Sequence, residues 1–377
     1  MSTRAALLTG LALLIVLALV PADLTGLGIP YPGLKRYGTY ILTLWLVTAI
    51  AAMGVNLIVG YAGQETLAQA AFVGIGAYLT AIAGKHGVPF GVSFAASGLL
   101  TFVIGIALGF PALRVQKHYL AFVTLAFSVL CWLVFRNETA VTGGVMGIRD
   151  IERPILFGLK LRRAVDFYWF VLAIAAVMTF VLWWIVRSPW GRAFAALREN
   201  PLRAESLGVD VRLYTLLAFA LGSAYGGMAG SLYAPLVEFI DPSPFALGPS
   251  LLFMLMVVIG GSGTFLGPFV GAGIAVLLPE WLRAWETWYL LIYAVLVMVM
   301  MAAFPGGIVG LVSRLLPSSL LISPSPARGG GVGVSRRRRG NDAPSRVTPP
   351  PTPYDGATSP ASGGGKRGRG EEGGAPS

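Results

Sequence analysis

The sequence predicts an all-α integral membrane protein of about ten transmembrane helices, broken at glycine-rich motifs and followed by a disordered C-terminal tail. Three observations predict it. Of the 377 residues, 55% are hydrophobic and 12% charged, about half the ~25% charge of a soluble globule. Mean hydropathy is +0.73. The apolar residues gather in windows close to the twenty or so that cross a ~30 Å hydrocarbon core as a helix.

Taken in order, the windows are residues 5–20, 40–59, 67–83, 90–110, 119–135, 168–186, 213–236, 245–259, 265–281 and 288–304. The first follows Arg4 as a signal peptide would, but it runs into Pro21 without a small-residue cleavage site and reads as a retained helix. An even number of spans puts both termini on one side. Lysine and arginine outside the tail number nine on the side of the 187–212 loop and ten opposite, which decides nothing. Six of those ten lie in one long loop, 136–167, mixed with four acidic residues, and the tail adds nine basic against four acidic residues. Short loops weigh most in the positive-inside rule, so both termini and the 187–212 loop are expected in the cytoplasm.

Two regions follow: a transmembrane domain over 1–321 and a tail over 322–377. The tail is Gly, Pro, Ser and Arg with almost no large apolar residue, too little to bury for a fold. Arg336 to Arg339 can touch anionic lipid, but a solvated extension with no transport role is the expectation. Cys131 has no second cysteine to pair with, and no Cys/His cluster suggests a metal. Neither a metal nor a nucleic-acid partner is expected.

The loop from Arg187 to Asp210 (RSPWGRAFAALRENPLRAESLGVD) carries two helix-start signals. Ser188 caps a helix opening on Pro189, and Asn200 with Pro201 repeats the signal before Gly208 ends the second helix. In the first helix Trp190, Ala193, Phe194 and Leu197 fall at i, i+3, i+4 and i+7 as one apolar stripe. Arg192, Arg198 and Glu199 lie off it. Such a stripe suits a groove on a partner protein. The same features also define an interfacial helix with Trp190 at the lipid boundary and the arginines on phosphates, so both readings stand on periodicity alone.

The run Gly60 to Tyr78 (GYAGQETLAQAAFVGIGAY) joins two apolar windows through glycines, so a helix is expected to break at membrane depth or near its rim. Freed backbone groups there need polar cover, which Asn56, Gln64, Glu65, Thr66 and Gln69 can supply. Broken helices lining a cavity are where transporters meet polar solutes. Gly60, Gly63, Gly74 and Gly76 also suit close helix packing.

Two more runs complete the pattern: Phe110 to Phe127 (FPALRVQKHYLAFVTLAF), continuing to TGGVMG at Thr142 to Gly147, and Gly260 to Gly273 (GGSGTFLGPFVGAG). With the two-helix loop and the closing FPGGIVG at Phe304 to Gly310, these resemble the LivM-type permease subunits of branched-chain amino acid ABC transporters. The resemblance covers about 40 to 312, in the right order, and matches at Gly60, Gly63, Gln64, Leu113, Arg114, Thr124 to Phe127, Thr142 to Gly144, Gly147, Gly191, Arg192, Arg198, Glu199, Gly208 and from Gly260 onward. Departures fall at Glu65, Thr66, Ala68 and Gln69, where the family usually has an apolar residue, Ser, Gly and a frequent His. A carboxylate at the bilayer centre costs ~2.5–3.5 kcal/mol on insertion scales, so Glu65 is either an ammonium contact or a rim residue in water.

The resemblance implies an importer permease in a bacterial inner membrane, working with two ATP-binding subunits, a sister permease subunit and an extracytoplasmic solute-binding protein. It assigns ATPase coupling to Gly191, Arg192, Arg198, Glu199, Glu205 and Gly208. Polarity near the expected breaks marks Gln64, Glu65, Thr66 and Thr124 for the solute path. Branched-chain amino acids are the first expectation for the solute; urea, amides and other amino acids are the alternative. The chain has no GxxxxGK[ST] loop, its Gly-Lys pairs being Gly84-Lys85 and Gly365-Lys366, so no cofactor is expected here and ATP belongs to the partner subunits.

Two other classes compete. An intramembrane serine enzyme is suggested by Gly260-Gly261-Ser262-Gly263, but it needs a base beside the serine, and the two histidines, His86 and His118, both fall outside the predicted spans. A passive ion channel would call for rings of charge or carbonyls, and carboxylates inside the windows are nearly absent.

Overall fold

In the computed structural model, residues 36–112, 117–156, 159–161 and 163–283 are described, with isolated positions 292, 294–295, 298–299 and 307–308. Eight of the ten apolar windows are helical there. Those at 5–20 and 288–304, the Leu113–Arg114 pair and the tail lie outside the described residues, or nearly so. The helices are α1 (Arg36–Val55), α2 (Gln69–Lys85), α3 (Phe90–Ala112), α4 (Lys117–Asn137), the single turn α5 (Thr139–Thr142), α6 (Ala164–Arg187), α7 (Pro189–Glu199), α8 (Pro201–Ser206), α9 (Val211–Val237), α10 (Leu247–Gly260) and α11 (Gly267–Leu282). One two-residue antiparallel ladder pairs Ile155 with Lys160 and Leu156 with Leu159.

Five helical segments are long and apolar enough to cross a membrane, and α10 and α11 are shorter apolar helices. Burial sorts the five. The apolar windows of α1 and α9 are 72% and 78% buried, against 28%, 28% and 33% in α3, α4 and α6. The first two are therefore the bundle's axis, and the others turn Leu99, Val103, Phe122, Leu130, Val177 and Phe180 outward, as lipid-facing helices do.

The axis is built from small residues. α9 packs on α1, α2 and α3. A Cβ on Gly227 would lie 2.6 Å from Thr101 Cγ2, and one on Gly54 would lie 2.9 Å from Tyr225 Cβ, so the backbones touch where lipid offers no hydrophobic drive for association. Hydroxyls add polar ties. Thr80 donates to Ser231 (2.6 Å), Ser97 to the Gly76 carbonyl (3.3 Å) and Tyr225 to the Met178 carbonyl (2.8 Å).

The break expected at Gly60 to Tyr78 is present, and a second non-helical segment joins it. α1 runs on as a π-turn, Asn56–Tyr61; the chain then turns at Gly63 (φ 67°) and is non-helical until α2 begins at Gln69. Gln69 Nε2 donates to the Ala51 carbonyl (2.8 Å), so α2 starts alongside α1 rather than beyond its end. The second break, residues 261–266, separates α10 from α11. Asn56 bridges the two breaks: its Nδ2 donates to the Thr264 carbonyl and its Oδ1 accepts from Gly263 N–H, each 2.9 Å.

Candidate functional site

The two-helix loop forms as its caps direct. Ser188 accepts from Trp190 N–H (3.1 Å) with Pro189 opening α7, and Asn200 accepts from Arg203 N–H (3.2 Å) with Pro201 opening α8. Gly208 follows at φ 83°. Asp210 then caps α9, accepting from Arg212 N–H (3.0 Å) and Leu213 N–H (3.1 Å).

Three of the four stripe residues face inward. Ala193, Phe194 and Leu197 are buried in the protein's own bundle, with Phe194 edge-on to Tyr214 (6.1 Å), whereas Trp190, edge-on to Trp184 (6.4 Å), is exposed. The physical reason is proximity: the helix hangs directly from the end of α6, and its nearest apolar surface is the bundle. Gly191 is buried at that junction, where a Cβ would lie 2.7 Å from Val186 Cα. The outward face instead carries Arg192, Glu199, Arg203 and Glu205 with two apolar knobs, Leu202 and Leu207, which are 78% and 81% exposed. The latter two carried no periodic signal, because α8 spans six residues.

Arg198 departs from its companions. Its guanidinium Nη1 donates to the Gly60 carbonyl in the π-turn, and Gly63 approaches so closely that a Cβ there would lie 3.0 Å from Arg198 Cα. Of the expected coupling residues, Gly191 is buried in the bundle, and Arg192, Arg198, Glu199, Glu205 and Gly208 are exposed, with Arg198 turning its guanidinium back to the Gly60 carbonyl.

The expected solute-path residues gather along residues 63–68. Thr124, buried on α4, accepts from Leu67 N–H (3.0 Å) and donates to the Ala121 carbonyl (2.9 Å). Thr66 accepts from Ala68 N–H (3.3 Å), Gln64 is buried and reaches only the Ala62 carbonyl (3.5 Å), and Glu65 is exposed. The hydroxyls thus hold a non-helical backbone inside protein, the condition for such backbone at membrane depth. Ser250 and Ser128 belong to the same cluster and carried no sequence signal: Ser250 accepts from Ala70 N–H (3.1 Å) and lies 3.4 Å from the Ser128 hydroxyl. Gln69 Oε1 is buried with no partner among the described residues.

At the opposite end, an open cleft of about 700 Å³ is lined by Arg36, Arg149, Asp150, Glu152, Arg153 and Glu238, among others. Arg153 and Glu238 pair at 2.9 Å. Ser262 sits in the 261–266 break, whereas His86 follows the C-terminal end of α2.

The family described as "Branched-chain amino acid transport system / permease component" matches residues 37–302. The chain is 32% identical over 307 residues to the "High-affinity branched-chain amino acid transport system permease protein LivM" of Escherichia coli K12, covering 75% of this chain and 72% of the relative. It is 30% identical over 176 residues to the probable LivM permease of Methanocaldococcus jannaschii, covering 46% and 51%. An autoinducer 2 import permease, LsrC, of Salmonella typhimurium is 26% identical over 194 residues, covering 48% and 53%. No solved structure matches the chain.

Proposed function

The chain belongs to the permease-component family of branched-chain amino acid transport systems, a membrane-embedded subunit of an ABC importer, and on that premise we propose how it is driven and what it carries. Two ATPase subunits seat on α7 and α8 from the cytoplasm, a sister permease completes the pore, and an extracytoplasmic solute-binding protein delivers a branched-chain amino acid. The membrane is a bacterial inner membrane crossed by about ten spans, with both termini cytoplasmic. Nucleotide is bound by the partner subunits, and this chain carries no catalytic step. Residues 322–377 are a solvated extension outside the transport domain of residues 1–321.

One observation carries the coupling reading: most of the loop's apolar stripe is spent on the bundle while Leu202 and Leu207 project outward among Arg192, Glu199, Arg203 and Glu205. A helix lying in lipid headgroups buries its apolar face at the acyl boundary, and on that face of α7 Ala193, Phe194 and Leu197 are already occupied by the bundle, leaving Trp190 exposed. Two exposed leucines ringed by mixed charge fit a protein groove, with the apolar knobs inside and the charges at the rim.

Branched-chain amino acids are preferred as solute because the resemblance to the LivM permease covers 75% of this chain, against 48% for the autoinducer 2 permease. The test is ATP-driven uptake of labelled leucine by proteoliposomes holding the four-subunit complex and its binding protein. Leucine uptake is expected for wild type, with loss in Glu199→Lys at normal expression. Unchanged uptake in that variant removes Glu199 from coupling; uptake without nucleotide makes the protein a channel.

A further inference from the structure

At one place a side chain from the docking loop enters the broken part of the bundle. Arg198 lies in the last turn of α7, and its guanidinium donates to Gly60. That carbonyl is next to the end of the π-turn, where helix geometry leaves carbonyls without an intrahelical amide. A cation completing it forms a charge-assisted hydrogen bond, about twice as strong as a neutral one.

The same guanidinium meets the second break. A Cβ on Gly263 would lie 3.2 Å from Arg198 Cζ and 2.7 Å from the Gly60 carbonyl oxygen, so Gly263 is backbone packed flat against the pair. Asn56, one turn before Gly60, is bonded to both Gly263 and Thr264. Three elements distant in sequence therefore share one joint: α7, the π-turn, and residues 261–266. Beyond the π-turn, residues 63–68 lead to the hydroxyl cluster of Thr66, Thr124 and Ser250.

We propose that Arg198 is the positioning residue that transmits movement of α7 to the two broken segments, the Asn56–Tyr61 π-turn and residues 261–266, rather than a contact to the ATPase. The proposal rests on the reading of α7 and α8 as the ATPase seat. A displacement of α7 moves the guanidinium, which carries Gly60 and Gly263 with it, and the non-helical segments beyond them are the parts of the bundle free to rearrange. Cutting the joint leaves the seat intact and disconnects it from the pore.

The experiment uses the full complex in lipid nanodiscs or proteoliposomes with its binding protein and leucine. Wild type is measured first: without leucine-dependent ATP hydrolysis and uptake, the ATPase-seat reading fails and Arg198 is not at issue. With wild type active, Arg198→Met is expected to retain co-purifying ATPase subunits at the wild-type ratio, while leucine moved per ATP hydrolysed falls roughly tenfold or more, the scale of one lost charged hydrogen bond. Arg198→Lys, which keeps a charged donor but lacks the planar guanidinium that packs beside Gly263, is expected to recover part of that ratio. Loss of the ATPase subunits from Arg198→Met, or a ratio within twofold of wild type, overturns the proposal. If Arg198→Met does not accumulate in the membrane, Arg198→Lys carries the test, since it keeps the charge and the length of the side chain. An assembled but partly uncoupled complex is expected, and normal coupling in it overturns the proposal.

Discussion

Replacing Asn56 with leucine removes the bridge between the two broken segments while conserving size. Asn56 is fully buried and makes two hydrogen bonds, to Thr264 C=O and from Gly263 N–H, each 2.9 Å. Leucine satisfies neither. Each buried backbone group left unpaired costs ~1–3 kcal/mol, so Asn56→Leu is expected to lose about 2–6 kcal/mol. At ~2–4 °C per kcal/mol, the thermal midpoint falls by roughly 4–24 °C. The assay is thermal unfolding in detergent followed by tryptophan fluorescence, with Thr48→Val as comparator. The Thr48 hydroxyl bonds back only to the Leu44 carbonyl of its own helix (2.7 Å), and its loss should stay below ~1 kcal/mol. If Asn56→Leu unfolds within about 0.5 kcal/mol of wild type, the usual range of a surface substitution, the bridge holds nothing and the joint argued around it fails.

Other substitutions follow from the packing. Gly227→Ala puts a methyl 2.6 Å from Thr101 Cγ2 and 2.7 Å from the Ser97 carbonyl; it should cost ~1–3 kcal/mol by overpacking and reduce the monodisperse fraction in size-exclusion chromatography, whereas a wild-type profile would show that α3 and α9 separate freely. The pair Leu202→Glu and Leu207→Glu, both outside any packed surface, should leave stability within ~0.5 kcal/mol yet lower ATPase co-purification roughly tenfold, about 1.4 kcal/mol of affinity. Undiminished co-purification would move the seat elsewhere. Thr124→Val orphans Leu67 N–H and should lose ~1–3 kcal/mol, while Thr124→Ser stays near wild type. An unchanged KM in Thr124→Val marks a structural hydroxyl; a raised KM marks a solute contact.

Local chemistry was legible in the sequence. Ser188 with Pro189, Asn200 with Pro201, and Gly208 each report a backbone requirement within four residues, and each stands where expected. Long apolar windows were legible for the same reason, since crossing a hydrocarbon layer is a property of one segment. Direction was not. The α7 stripe announces an apolar face without naming what covers it, and the bundle end beside Val186 and Tyr214 covers most of it. Arg198 sits beside buried Leu197, one position off the stripe, and only its long side chain finds Gly60. The Asn56 bridge spans 207 and 208 residues, and the π-turn has no compositional mark, so neither leaves a trace in periodicity.

The two ends of the molecule are joined by unlike connectors, and the difference in stiffness bears on how a push at α7 and α8 is divided. α9 begins at the Asp210 cap directly after the loop and runs 27 residues to Val237, about 40 Å at ~1.5 Å per residue. It ends at Glu238 (φ 62°), which pairs with Arg153 beside the cleft, and near Ile240, which is bridged to Ile148. On the proposed reading of the loop as the ATPase seat, α9, buried and held by close glycine contacts, is the stiffer connector as far as Pro235. The Arg198 route ends differently, in residues 63–68 and 261–266, which lack a helical ladder and are held by single hydroxyl and amide contacts. Few bonds per residue resist change there, so a displacement of the loop deforms those segments instead of passing through them. If the loop is the ATPase seat as proposed, one input has a stiffer outlet toward the far cleft and a softer one in the broken segments, so a single stroke would move the two unequally.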